Sequence, residues 1–438
     1  MIIILSLFKD TEFRLVDIMI FIFDLILLLV CYSSQALLAN NPLSESLPFI
    51  GWIIIFVSVY LCYKVRNNNF QLLLMSILSF LNISLSLSNL ITQTSMIPSW
   101  QLALRNTTYN FNAASSIMLF LATLNLFLTQ DWLRRTSSKN PIILERKNNL
   151  IISVGGVLIL IVILITGLLS GSTSSQGYVS NSNPLYEYFP VIFLLTWIYA
   201  KKYLVINKTL ICIALFYIAQ SFIMGDRSAA FLMVILGYLI YFTNSISIGR
   251  ILIFASIAII LSNFIAEFRD NIGIGLEDLI SNTLDRGFSV DTITFAYYGG
   301  ITITALFDLI PGFGKNIFQY LFTFIIGSND SEFANLAVFA RENFKILFNR
   351  GGSFFPAYFY AFLGNTGVIF SATIFGLIIR KIFSKYSGVN VYYQILIITF
   401  AMRWYIYNPI NLFRVVLVMF TVVLIISRMI EQITSKQD

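Results

Sequence analysis

Apolar residues fall in long blocks along the chain, each about the length a helix needs to cross a bilayer, with short polar connections between them. The blocks predict spans near 15–33, 47–63, 70–88, 112–129, 150–171, 186–200, 209–225, 229–243, 251–267, 354–379, 391–405 and 410–427. Twelve spans in a single membrane-embedded unit, 1–438, make the expected fold an all-α, polytopic integral membrane protein. One long segment, 268–353, separates the ninth span from the tenth.

The basic residues test that count, because Lys and Arg concentrate in loops held on the cytoplasmic side. Lys9, Arg14, Lys64, Arg66, the cluster from Arg134 to Lys147, Lys201, Lys202, Lys208, Arg250, Arg380, Lys381, Lys385, Arg428 and Lys436 all fall on one side. The connections opposite, 34–46, 89–111, 172–185 and 226–228, hold only Arg105 and Arg227 as basic residues. Both termini are therefore expected in the cytoplasm and the 268–353 loop outside it. That loop contains ITFAYYGGITITALF and IFQYLFTFIIG, too apolar for free solvent, so short helices lying on or dipping into the outer leaflet are expected, broken at Pro311 and at glycines.

Composition agrees with the pattern. Hydrophobic residues make up 58% of the 438 positions and charged residues 11%, which excludes an ordinary soluble protein. The net charge of +7 follows from the loop arginines and lysines and needs no nucleic acid to explain it. Cys31, Cys62 and Cys212 sit in apolar runs and read as small buried hydrophobes. The start, MIIILSLFKD, lacks a basic n-region and a small-residue cleavage site, so no removable signal peptide is expected.

Candidate chemistry concentrates outside the expected cytoplasmic face. In RENFKILFNRGGSFFPAYFYAFLG, 341–364, Arg341, Lys345 and Arg350 precede a Gly351-Gly352 break. Ser353 then stands as an N-cap for the following span, whose positive dipole end suits a phosphate. Arg341 and Arg350 would point to nearly opposite faces of one helix, so their convergence requires a bend at the glycines. Gly225-Asp226-Arg227-Ser228 lies on the same side, where Arg227 is either a snorkelling arginine paired with Asp226 or a planar fork for phosphate oxygens. Arg286 adds a further loop cation, and Arg403 and Arg414 flank the outer turn WYIYNPINLF. Tyr358, in the aromatic run after Ser353, either packs toward lipid or stacks on sugars. Asp17 and Asp24, on one face of the first span, read as structural glue. Asp330-Ser331-Glu332 is too loose for a metal site, and no P-loop, dinucleotide fingerprint or zinc spacing occurs. Histidine is absent, which removes any mechanism built on an imidazole base.

With its array of spans, one large outer loop before the last three, the Gly225-Asp226-Arg227 turn opening a span, and GGSFFPAYFYAFLGNTGVIF at 351–370, the chain resembles bacterial O-antigen and capsule repeat-unit polymerases of the Wzy type. Arg341 and Gly352 also match an Arg, ten residues, Gly spacing found in outer loops of that family. Similar segments carry an acid shortly after the proline, whereas Ala357 stands here, so no catalytic carboxylate transfers to that position.

The resemblance implies an inverting-type glycosyltransferase of the bacterial inner membrane that joins repeat units carried on undecaprenyl diphosphate, needing no metal or other cofactor. A chain-length regulator is an implied partner. Arg227, Arg341 and Arg350 would neutralise the departing diphosphate and Asp226 would take the acceptor's proton. Gly351, Gly352, Ser353, Arg286, Lys345, Tyr358 and Arg403 would hold substrate. A flippase for the same lipid-linked unit is the alternative, while the related ligases rely on a histidine that this chain lacks.

Overall fold

The computed structural model describes residues 15–39, 46–92, 107–133, 144–170, 184–223, 227–242, 248–270, 275–285, 290–326, 352–385 and 387–434, together with positions 333, 336, 339 and 340. Among them the secondary structure is helical, and β pairing is limited to an isolated bridge between Asn148 and Ala200.

Helices occupy every predicted stretch. The first half contains α1 (Leu15–Ala39), α2 (Ser46–Lys64), α3 (Asn69–Leu85, continued by a π-helical turn Ser86–Ile91), α4 (Thr107–Leu133), α5 (Leu150–Ser170), α6 (Phe189–Tyr199, after a 3-10 turn Pro184–Tyr188) and α7 (Leu204–Ile223). Then come α8 (Arg227–Tyr241), α9 (Ile248–Asp270), α10 (Leu276–Asp285), α11 (Asp291–Leu309), α12 (Ile317–Ile326) and α13 (Phe355–Phe383). The chain closes with α14 (Val389–Thr399), α15 (Ala401–Ile406), a π-helical segment Asn411–Met419 and α16 (Phe420–Thr434). Eight of the described helices are long and apolar enough to cross a membrane, or nine if α11 and α12 form one bent span. Shorter apolar helices, Leu185–Tyr199, Ser228–Tyr241 and Val389–Thr399, fall below that length. The chain is thus multi-pass by the length and apolarity of its helices.

Local chemistry sets several boundaries. The Asn68 side chain accepts from the Gln71 amide at 3.1 Å and caps α3. Asn149 does the same for Ile152 at 3.0 Å, opening α5. Arg380 and Lys381 occupy the last turn of α13, where they complement its negative end.

Helix α4 is the axis of the bundle. Its apolar window is 89% buried against 17% for α1, so α4 is enclosed by protein while α1 presents most of its surface outward. Around α4 pack α1, α2, α11 and α13. Aromatic rings fill the space between α4, α13 and α15: Phe355 lies 5.4 Å from Phe120 and 5.8 Å from Trp404. The indole of Trp404 donates to the Ile397 carbonyl at 3.0 Å.

The end of the bundle rich in basic residues is stitched by polar contacts between distant segments. Arg146 donates to the Trp197 carbonyl at 3.0 Å and to Asn207 at 2.6 Å. Lys147 meets Glu431 at 2.7 Å, and Asn149 donates to Thr434 at 2.9 Å. The Tyr392 hydroxyl donates to the Glu145 carbonyl.

At the opposite end the structure differs from the expected helices on or dipping into the outer leaflet in one of the two, α11. Helix α11 is enclosed: Ile293, Tyr297, Ile301 and Leu306 are each at most 1% exposed. Thr294 donates to Asn89 at 3.2 Å, and Tyr297 donates to the Asn110 carbonyl at 3.1 Å. Its apolar character therefore answers to protein packing rather than to a lipid surface. Pro311 and Gly312, the latter at φ +76°, do break the chain as expected, and α12 leaves at 114° to α11. One face of α12 is turned outward through Phe318, Phe322 and Ile325, while Tyr320 and Phe324 point inward. Of the cysteines, Cys31 is buried, Cys62 half-buried and Cys212 exposed, so only the first is the core residue expected.

Candidate functional site

Arg403 lies in the last turn of α15, at the end of the bundle away from the Lys147–Glu431 contacts. That helix closes at the Arg403 carbonyl, which accepts the last helical bond from the Tyr407 amide at 3.2 Å and a wider, terminating one from the Asn408 amide at 3.1 Å. The Asn411 side chain approaches the same oxygen at 3.4 Å. The guanidinium carbon sits 5.2 Å from the Tyr407 ring centre, and Nη1 is 4.0 Å from Glu187 Oε1. Since Glu187 is 41% exposed, this is a long, solvent-screened contact rather than a tight bridge.

Tyr186, Glu187, Tyr217, Leu232, Phe400, Arg403 and Asn411 line the cleft in which Arg403 stands. Its aromatic wall is firm: Tyr186 and Tyr217 stack at 4.4 Å, and the Tyr186 hydroxyl is 2.8 Å from that of Ser221. Arg414, on the adjoining π-helical segment, lies within electrostatic reach of Tyr188. The α8 wall is Leu232, five residues beyond Arg227, which opens that helix and whose side chain lies outside the described set.

The second anchoring point is Gly352. At φ +107° it takes a conformation that favours glycine, and a Cβ there would meet the Ile406 carbonyl and Tyr407 Cα at 3.1 Å. The Ser353 amide then donates to the Tyr407 carbonyl at 3.1 Å, and the Tyr358 hydroxyl donates to the same oxygen. The break expected at the glycines is real at Gly352. Ser353 is not the expected N-cap: α13 starts after Phe354 without a side-chain cap. Instead the Ser353 hydroxyl is fully buried with no hydrogen-bond partner, and a Cβ on Gly300 of α11 would stand 3.3 Å from it. Tyr358 is likewise corrected. It faces neither lipid nor an open sugar site, being 1% exposed and stacked parallel to Tyr320 at 6.1 Å.

Of the expected site residues, Gly352, Ser353 and Tyr358 therefore meet at Tyr407, which also carries Arg403 on its ring. Asp226, Arg286, Arg341, Lys345, Arg350 and Gly351 lie outside the described residues, as do Asp330 and Glu332. Glu187 and Asn411 were missed, although Glu187 opens a span on the side that carries Arg227 and could have been found by the same alternation of loops.

The chain matches no protein-family model, no curated protein and no solved structure.

Proposed function

We propose that the protein is a polymerase of undecaprenyl-diphosphate-linked repeat units at the outer face of a bacterial inner membrane, with both termini cytoplasmic and twelve spans. The observation that carries this reading is the convergence on Tyr407. Its backbone holds Gly352 and Ser353, which directly follow Arg350 and Gly351, and its ring carries Arg403. Through Leu232 the helix opened by Arg227 faces the same cleft. A guanidinium held beside the residues that follow Arg350 suits the task, because a diphosphate leaving group already carries its charge and needs neutralising rather than protonating. Arg403, with Arg227, Arg341 and Arg350, holds the diphosphate. The developing oxocarbenium character at the sugar resembles that of other glycosyl transfers. Asp226 is the candidate to take the acceptor hydroxyl's proton.

The flippase reading is favoured by one feature, the break of α13 at Gly364 beside buried polar groups, since discontinuous helices recur at carrier binding sites. Surface glycan from a deletion strain separates the two. A polymerase mutant displays single repeat units and a flippase mutant essentially none. Lys replacements at Arg227, Arg341, Arg350 and Arg403 keep the charge but lose the fork, and should shorten the polymer at unchanged membrane abundance. Full-length polymer from all four variants would refute the proposal.

A further inference from the structure

Helix α13 is interrupted at Gly364, whose φ of +58° and ψ of −141° lie outside the helical region. The ring of Phe307, in α11, lies against it, 3.1 Å from where a Cβ would stand. Beside this break five polar side chains from four helices form a chain whose link between Asn112 and Ser115 runs through the Asn112 backbone carbonyl. Asn112 Nδ2 donates to Asp308 Oδ2 at 3.5 Å, and Ser115 Oγ donates to the Asn112 carbonyl at 3.2 Å. Gln35 Nε2 donates to Ser115 Oγ at 3.2 Å and to Asn365 Oδ1 at 2.5 Å. Asn365 directly follows the break.

Gln35 is only 3% exposed, yet its Oε1 has no hydrogen-bond partner. A buried amide oxygen without a donor calls for an explanation, and a ligand hydroxyl supplies one. The far end of the chain is open: Asp308 and Phe307 are exposed, and Tyr360 packs edge-on to Phe307 at 5.7 Å. Tyr109 and Tyr360 both lie within electrostatic reach of Asp308.

The chemistry of the set is selective. No Lys or Arg belongs to it, so it is not built for phosphate, and one carboxylate is too few for a hard cation. Amides and a hydroxyl that both donate and accept, one carboxylate that accepts, and aromatic faces nearby match the hydroxyls and C–H faces of a sugar. We infer that Gln35, Asn112, Ser115, Asp308 and Asn365 form a saccharide subsite, distinct from the Arg403 cleft, that holds the glycan of a substrate. This rests on the proposed handling of lipid-linked glycans and assigns the sugar and the diphosphate to different groups of helices.

The test uses the full chain in lipid nanodiscs and three probes: the lipid-linked repeat unit extracted from cells lacking this protein, the free oligosaccharide released from it by mild acid, and undecaprenyl diphosphate without sugar. Gln35→Met and Asn365→Leu should weaken oligosaccharide binding by about tenfold, the loss of a hydrogen bond or so, and leave the sugarless lipid unchanged. Ser115→Ala and Asp308→Asn, which alter less of the packing, should act in the same direction should the first pair fail to give monodisperse protein. Arg403→Lys should show the reverse pattern. Oligosaccharide bound equally by wild type, Ser115→Ala and Asp308→Asn would overturn the inference and leave the network as internal glue. Wild type that binds undecaprenyl diphosphate but neither sugar-bearing probe more tightly would also overturn it. Failure to bind any of the three would instead remove the proposed function, and the subsite with it.

Discussion

Lys64 Nζ stands 2.6 Å from Asp24 Oδ2, with both side chains fully buried. The same ammonium donates to the Asn125 carbonyl at 2.7 Å, so one cation joins α1, α2 and α4. The sequence assigned Lys64 to a loop. It is instead the last residue of α2 and answers the acid expected to act as glue in the first span.

Asp24→Leu or Lys64→Met alone should therefore destabilise the protein by about 3–5 kcal/mol, because each leaves an uncompensated buried charge. The double replacement Asp24→Leu with Lys64→Met should recover most of that loss. Thermal unfolding of the four proteins in one detergent gives the comparison, and additive losses in the double variant would show that the two charges do not depend on each other.

Gly352→Ala should cost about 1–3 kcal/mol, since it puts a side chain at φ +107° and against the Ile406 carbonyl. Gly155 and Gly237 have open space where a Cβ would go. Alanine at either should be neutral or stabilising by up to about 1 kcal/mol through helix propensity. Melting temperatures of the three variants check the contrast.

Tyr358→Phe removes one of two donors to the Tyr407 carbonyl, with the Ser353 amide still in place. The expected loss is about 0.5–1.5 kcal/mol rather than the larger penalty of a stranded buried oxygen. Affinity for undecaprenyl diphosphate should not change, which distinguishes a buried support from a residue that contacts substrate.

Glu187→Gln should change stability by less than about 1 kcal/mol, given its long and exposed contact with Arg403. Arg403→Lys should lower polymer formation on the order of a hundredfold if the guanidinium holds a developing negative charge. Thermal unfolding measures the first, and glycan length profiles at matched protein abundance the second.

Helix positions were legible because apolar blocks of span length leave little alternative, and α1 to α9 and α13 to α16 fall where the blocks do. Partner choice was not. Composition alone does not tell an apolar helix facing lipid from one facing protein, so α11 was expected on or dipping into the outer leaflet, whereas its residues pack in the core. Gly364-Asn365 stood in plain view inside an apolar run, but a break there requires knowing that Phe307 occupies the space beside it. Arg403 was recognised as flanking an outer turn, whereas its meeting with Glu187 depends on segments 216 residues apart in sequence coming together.

The burial of α11 also bears on how the protein is made. Its partners in α4 are synthesised before it, but Ser353 and Ala357, which close over Gly300, emerge some fifty residues later. Until α13 arrives, one flank of this apolar helix has nothing to cover it. Assembly must then hold the outer segment in waiting, and replacements that slow the docking of α13 should be felt first as degraded newly made chains rather than as a less stable finished protein.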